Sequence, residues 1–478
     1  MDVIYLLILL LVGALATYLS GDKLASKVAL LFGLGAFGFS VYLLNLFQAG
    51  QDLDFVAAWI TKPNIAFALK ADGLALAMVL LTTALTPIII FSGFGNDFKN
   101  AKAIYSLILF MSFAMVGTFL AADGLLYYIF WELSLIPIYF IALLWGNGDA
   151  EDRKKAVVKF FIYTLAGSLF MLTGFVYLYL QAGSFLLTDL YQLRLSCGQQ
   201  FWIFSAFFLA YAIKIPIIPF HTWQAKVYQK APTVGTMLLS GIMLKMGLYS
   251  VLRWQLPIAP LTAKGYQYTL IGLSIAGVIY GSIVALRQKD LKKLLAYSSL
   301  AHVGLIAAGA YTLTLDGLRG AVLQMIAHGF VVVGLFFVAE IIFRRYETRL
   351  ISEMGGIRSQ SPKFTSMFLL LVLASVALPS TFNFVGEFTV LYSLFQVNLG
   401  FAILGGTTII LGAYYMLKMF QHAMLGETNT KPFADVSFNE GLLLVIIVAV
   451  LFFFGLYSKP ITDLITPSLE NILMHINR

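Results

Sequence analysis

Apolar residues run in long blocks along this chain instead of alternating with polar ones. Fourteen such stretches, most of roughly 18 to 25 residues, lie near 3–20, 27–48, 73–93, 103–121, 124–146, 156–181, 200–229, 233–252, 265–286, 293–313, 317–341, 362–398, 400–424 and 438–457. Each is long enough to cross about 30 Å of hydrocarbon as a helix. Backbone polar groups at that depth must pair within their own segment. The pattern therefore predicts an all-α integral membrane protein of about 14 transmembrane helices.

Composition agrees with that solvent. A soluble chain of 478 residues would form about three domains, but 60% hydrophobic and 11% charged residues, with a mean hydropathy of +0.88, do not fit that class. The run Ile4 to Leu19 lacks a basic leader and a small-residue cleavage site, so it is expected to be the first span and not a removed signal. The lone Cys197 excludes an intrachain disulfide and any cluster of cysteine ligands, so an iron-sulfur centre or zinc would have to sit on another chain. No glycine-rich phosphate loop follows a strand, and no metal site is expected.

The net charge of +8 is explained by position, without an acidic or nucleic-acid partner. Loops after odd-numbered spans hold 19 basic residues, among them Lys23, Lys102, Lys154, Arg287, Lys292 and Arg345. The other loops and the chain end hold 8: Lys62, Lys70, Arg194, Arg253, Lys264, Arg319, Lys459 and Arg478. Short basic loops stay in the cytoplasm, so both termini are expected on the outer face.

Four lysines, Lys159, Lys214, Lys245 and Lys418, fall inside apolar spans. A charge at the bilayer centre costs about 2.5 to 3.5 kcal/mol even on the mildest scale, so each needs a partner, water or a purpose. Lys214 and Lys245 have company at the middle of other spans: Glu132, Glu387, His302 and His328. The six are expected to form a layer bridged by waters and by hydroxyls such as Tyr297, Ser298 and Ser299. Burial favours the neutral form of an acid or amine and a nearby opposite charge favours the ionised form, so a Glu-Lys pair that opens and closes is a proton switch. One isolated pair could be purely structural, and one isolated histidine a satisfied core residue. Recurrence at one depth is what points to a relay. Lys159 either snorkels to the cytoplasmic surface or tunes Glu132, Lys418 can reach an interface, and Glu340 is expected to pair with Arg344 at i+4.

Span seven carries Pro216 and Pro219 after Lys214, and span twelve carries Pro379 shortly before Glu387. Interior proline removes a backbone donor, and non-helical backbone at this depth survives only inside protein or along a wet cavity, so helices seven and twelve are expected to be broken. They lie five spans apart. Spans four to eight (101–255) and nine to thirteen (256–425) then form two five-helix units, and five being odd, they are inverted repeats. Residues 1–100 hold the first three spans, and 426–478 the fourteenth and a tail.

Particular strings carry a family resemblance. Trp131-Glu132-Leu133, Phe220-His-Thr-Trp223, Ala231-Pro-Thr233, Lys245-Met-Gly247 and Asp290-Leu-Lys-Lys-Leu-Leu-Ala-Tyr-Ser-Ser-Leu-Ala-His302 resemble the antiporter-like subunits of respiratory complex I over essentially the whole chain. Glu387 resembles the M-type branch, because L-type and N-type relatives and cation/proton antiporters usually carry lysine there; the lack of a long C-terminal lateral helix also separates it from the L type. After His-Thr-Trp many relatives read Leu-Pro-Asp-Ala-His-x-Glu, whereas this chain has Gln224-Ala-Lys-Val-Tyr-Gln-Lys230, so no cytoplasmic entry role carries over to that segment.

The resemblance implies a non-redox, proton-translocating subunit of a bacterial NADH:quinone oxidoreductase, in the inner membrane with both termini periplasmic. FMN, iron-sulfur clusters and quinone would sit on partner subunits and no cofactor on this chain. Partners would be L-type and N-type neighbours, the peripheral NADH-oxidising arm and the lipid bilayer. By matched position Glu132 would pair with Lys214, protons would pass through Lys245, His302 and His328, and Glu387 would be the exit group. The alternatives are a cation/proton antiporter subunit, a subunit of a membrane-bound hydrogenase complex, or a passive anchor, which the central charges argue against.

Overall fold

The computed structural model describes residues 2–61, 65–427 and 431–477. Lys62 and Arg478, two of the basic residues on which the orientation rests, lie outside them. The described residues hold 12 helices long and apolar enough to cross a membrane. These are α1 (Asp2–Leu19), α2 (Asp22–Gln48), α3 (Gly73–Ser92), α4 (Ala101–Leu120), α5 (Gly124–Leu144), α6 (Ala150–Ala182), α8 (Thr233–Ile258), α9 (Gln267–Leu286), α10 (Leu291–Ala310), α11 (Leu315–Tyr346), α13 (Leu399–Met424) and α14 (Phe438–Leu456). The remaining two apolar stretches are each built of two helices. They are α7a (Cys197–Lys214) with α7b (Gln224–Lys230), and α12a (Pro362–Ser375) with α12b (Phe382–Val397).

The chain divides into two units that exchange segments. The first comprises Met1–Ile215, Lys230–Tyr266 and Asp463–Arg478, and the second Pro216–Gln229 and Gln267–Thr462.

Within the first unit, helix starts follow short acceptors placed where the first backbone N–H groups need partners. Asp72 accepts from Ala75, Asp123 from Leu125 and Leu126, and Asp149 from Glu151 and Asp152; Ser196 and Gln199 form a reciprocal capping box at α7a. The hydrogen-bonding of α5 is interrupted at Ser134, near Pro137, which has no N–H to offer the carbonyl one turn back. α8 is buried over the whole of its most apolar window, against 22% for α2, so α8 is the axis of this unit and α2 its rim. It is also irregular, with π-helical turns at Leu239–Met243 and Val251–Gln255.

Two elements of this unit were not expected from the apolar blocks. A two-stranded antiparallel hairpin, β1 (Phe55–Ile60) and β2 (Ile65–Leu69), pairs Phe55 with Leu69 between α2 and α3. The C-terminal tail holds a further helix, α15 (Lys459–Ile476). Its buried residues Ile465, Ser468, Leu469, Ile472 and Ile476 recur at helical spacing, and Ser468 accepts from the backbone of Leu74 in α3.

Arg253, expected in an outer loop, lies inside α8 and is only 5% exposed. Its guanidinium pairs with Asp72 at the start of α3 and donates to the Tyr249 hydroxyl, which donates in turn to the Phe119 carbonyl of α4. Tyr191 donates to the Arg253 carbonyl and packs at a tilt against His475 of α15, with ring centroids 4.5 Å apart. Burial alone would raise the Asp72 carboxyl, but the Arg253 charge overrides it and holds that carboxyl below the usual carboxylate range. The clasp's contribution is therefore present at neutral pH and lost as pH falls through the lowered Asp72 value. Arg253→Ala strands a buried carboxylate and is expected to cost about 3 kcal/mol, read as a lower thermal denaturation temperature of the purified assembly. An unchanged temperature would remove the clasp from the stability account.

In the second unit α10 and α11 are the most enclosed helices. Asp290 caps α10, Thr314 caps α11, and α11 ends at Glu347 in the left-handed conformation. α14 packs on the non-helical segment between α12a and α12b. A Cβ at Gly455 would lie 2.2 Å from the Ser380 carbonyl, so only glycine permits this approach. Lys292, expected in a cytoplasmic loop, is instead 1% exposed in the first turn of α10, with Asp290 and Glu340 within electrostatic reach. Glu340 pairs with Arg344 at 3.4 Å, the i+4 contact its spacing gives.

Candidate functional site

In the first unit the three expected residues lie on α5, α7a and α8. Lys214 ends α7a just before Pro216 and is 1% exposed. Its Nζ has no hydrogen-bond partner among the described residues and lies 4.7 Å from the centre of the Trp131 ring. Glu132 is half-buried, more open than the sequence implied, with Oε1 free of hydrogen bonds. The two charges act on one another, yet no oxygen-nitrogen contact of 4.0 Å or less joins them. The pair is open in this structure.

Lys245, fully buried, sits between the two π-helical turns of α8 and donates to the Ser240 carbonyl at 2.5 Å. Ser240 lies in the first of those turns, five residues before Lys245. Lys159, on α6, is half-buried with its Nζ 5.2 Å from the Tyr163 ring centre.

The second unit brings together the other three. Glu387 on α12b is 1% exposed and receives a hydrogen bond from Gln324 Nε2 of α11 at 2.9 Å. Its same oxygen lies 2.9 Å from Nδ1 of His302 on α10. The contact is one of distance, and Nδ1 makes no aligned hydrogen bond among the described residues. His328 of α11, also buried, has its ring centre 5.9 Å from that of His302. Tyr415 of α13 donates to Ser298, one turn before His302. Gly386 makes the arrangement possible, since a Cβ there would lie 2.5 Å from Gln324 Oε1. Asn383, one turn before Glu387, is buried with neither end of its amide hydrogen-bonded among the described residues.

Gln324 is the site residue that sequence reasoning missed. A neutral amide raises no alarm about burial cost, and the only available signal was its position one turn before His328 on the same helix face. Lys418 is exposed, with its Nζ 5.5 Å from the Tyr414 ring centre, and joins neither cluster. The segment Gln224–Lys230 is helical; Gln229 donates to Asp290 in the second unit, and Lys230 pairs with Asp152 at 3.6 Å in the first.

Apolar helices that hold lysines, acids and histidines away from both solvent and lipid define the class of ion-translocating membrane proteins. Residues 121–412 match the model of the NADH:quinone oxidoreductase/Mrp antiporter transmembrane family, and the chain belongs to that family. NADH-quinone oxidoreductase subunit M of Rickettsia prowazekii (strain Madrid E) is 37% identical over 461 residues, covering 95% of this chain and 93% of that protein. NADH-ubiquinone oxidoreductase chain 4 of Arabidopsis thaliana is 35% identical, covering 95% and 92%. Among solved structures, a chain of respiratory complex I from Thermus thermophilus with bound NADH superposes with a TM-score of 0.92 at 28% identity, covering all of both chains.

Proposed function

We propose that this chain is the M-type proton-translocating membrane subunit of a bacterial NADH:quinone oxidoreductase. Electron transfer takes place on other subunits, which carry FMN, iron-sulfur clusters and the quinone site, and it drives proton movement here. The reading is supported by the relatives named above and by one observation above all: Lys214, Lys245 and Glu387 are titratable, almost fully enclosed and seated on apolar helices. Such groups persist in a membrane protein where they serve ion or proton passage.

In this reading the helix pairs α7a–α7b and α12a–α12b each cross the membrane, giving fourteen crossings, and spans four to eight and nine to thirteen are inverted repeats at 101–255 and 256–425. Both termini face the periplasm. L-type and N-type subunits flank the chain, and the NADH-oxidising arm acts from a distance. A charge rearrangement in a neighbour displaces Glu132 from Lys214. The change in field alters the proton affinity of Lys245, His302 and His328 in turn, and Glu387 releases the proton.

The test is NADH-driven acidification of inverted membrane vesicles holding the intact complex with Glu132→Gln. Glu132 acts on Lys214 by its charge, so pumping is expected to slow roughly tenfold, less than the hundredfold typical of losing a group that itself transfers the proton. An unchanged ratio of protons to electrons, with the complex fully assembled, would overturn the assignment of the pair.

A further inference from the structure

The open Glu132-Lys214 pair raises the question of what holds the lysine charge when the carboxylate does not. A buried ammonium with no hydrogen-bond acceptor is costly, and Lys214 has none among the described residues. What faces it is the Trp131 ring, 4.7 Å from Nζ to ring centre and 1% exposed. Tryptophan offers the most electron-rich aromatic face of any side chain, and cations within about 6 Å of it are attracted most strongly where water is excluded.

The ring is packed firmly in place. Tyr127 and Tyr211 pack around it with centroids 5.8 and 5.7 Å away, and Ser134 donates to the Trp131 carbonyl. Trp131 and Glu132 are consecutive on one helix, so their side chains leave the axis about 100° apart. A single lysine reaching from α7a can therefore engage one of them at a time.

We propose that Trp131 and Glu132 are alternative holders of the Lys214 ammonium, with Trp131 carrying the charge while the pair is open. The proposal rests on the pumping reading given above and assigns a positioning role to a residue that reading leaves out. Trp131 makes the open state a populated stop in the cycle, and weakening its hold on the cation slows pumping by emptying that stop.

The experiment uses the intact complex in membrane vesicles, with Trp131 replaced by mono-, di- and trifluorotryptophan, and by Phe and Leu. Fluorine withdraws charge from the ring face with little change of shape. The logarithm of the NADH-driven pumping rate is expected to fall in step with fluorine count, with Trp131→Phe intermediate and Trp131→Leu roughly thirtyfold slower. A flat or irregular fluorine series overturns the proposal, leaving the ring a packing role, and it does so even if the Leu variant fails to assemble. Lys214→Ala in the same vesicles separates the two ideas. Pumping that survives it sinks the reading of the pair, whereas pumping lost there but constant across the fluorine series sinks the role of Trp131 alone.

Discussion

Lys245→Met is expected to lower NADH-driven proton pumping by about a hundredfold or more while the complex assembles normally. Methionine keeps the length and flexibility of the side chain and removes its only titratable atom. Lys245 is fully buried in the helix that forms the axis of the first unit, where a charge has to be supported by the Ser240 carbonyl and the irregular turns on either side. An apolar residue of similar volume relieves that burden, so stability is expected to hold or rise. Loss of pumping with preserved assembly is thus the signature of a proton carrier. Vesicle acidification rates, normalised to the amount of this chain in the purified complex, measure it. Pumping at the unsubstituted rate would exclude Lys245 from the relay.

The second large effect is expected at Glu387, where two substitutions separate chemistry from architecture. Glu387→Gln can keep an oxygen in the one position that accepts from Gln324 and faces His302 Nδ1, so the cluster keeps its shape and loses its titratable carboxyl. Pumping is expected to fall by about a hundredfold with little change in thermal stability. Glu387→Leu takes the titratable group and also strands the Gln324 amide N–H in an apolar interior. That variant is expected to lose the same activity and a further 1–3 kcal/mol of stability, roughly. Equal stability in the two variants would mean that Gln324 finds another partner. Pumping retained in Glu387→Gln would remove the carboxyl from the exit step.

Most of the helices were readable in advance because the bilayer dictates their length, and a block of apolar residues has few other fates. Glu132, Lys214, Lys245, His302, His328 and Glu387 stood out for the complementary reason that an ionisable group in such a block is expensive. What escaped notice obeys neither rule. The hairpin Phe55–Leu69 is two short segments outside the blocks, and α15 is too polar on one side to register as a span. Lys292 and Arg253 were sorted by nearness to polar breaks, but each turns inward along its helix, a choice made by neighbours such as Asp72 that are remote in sequence. Gln324 is uncharged, so its contact with Glu387 depends on how α11 and α12b pack, which no local pattern records.

The exchange of segments between the two units has a consequence for biogenesis. Pro216–Gln229 is translated amid the first unit but belongs to the second, and the stretch beginning at Asp463 is translated after the second but belongs to the first. A ribosome delivering this chain from its N-terminus cannot finish the first unit before the second. The early helices have to wait in the lipid with Leu74 and the Tyr191 ring lacking α15 until the last turns emerge. The first unit is thereby completed last, and a nascent chain cut off after Thr462 leaves that unit incomplete while the second has all its segments.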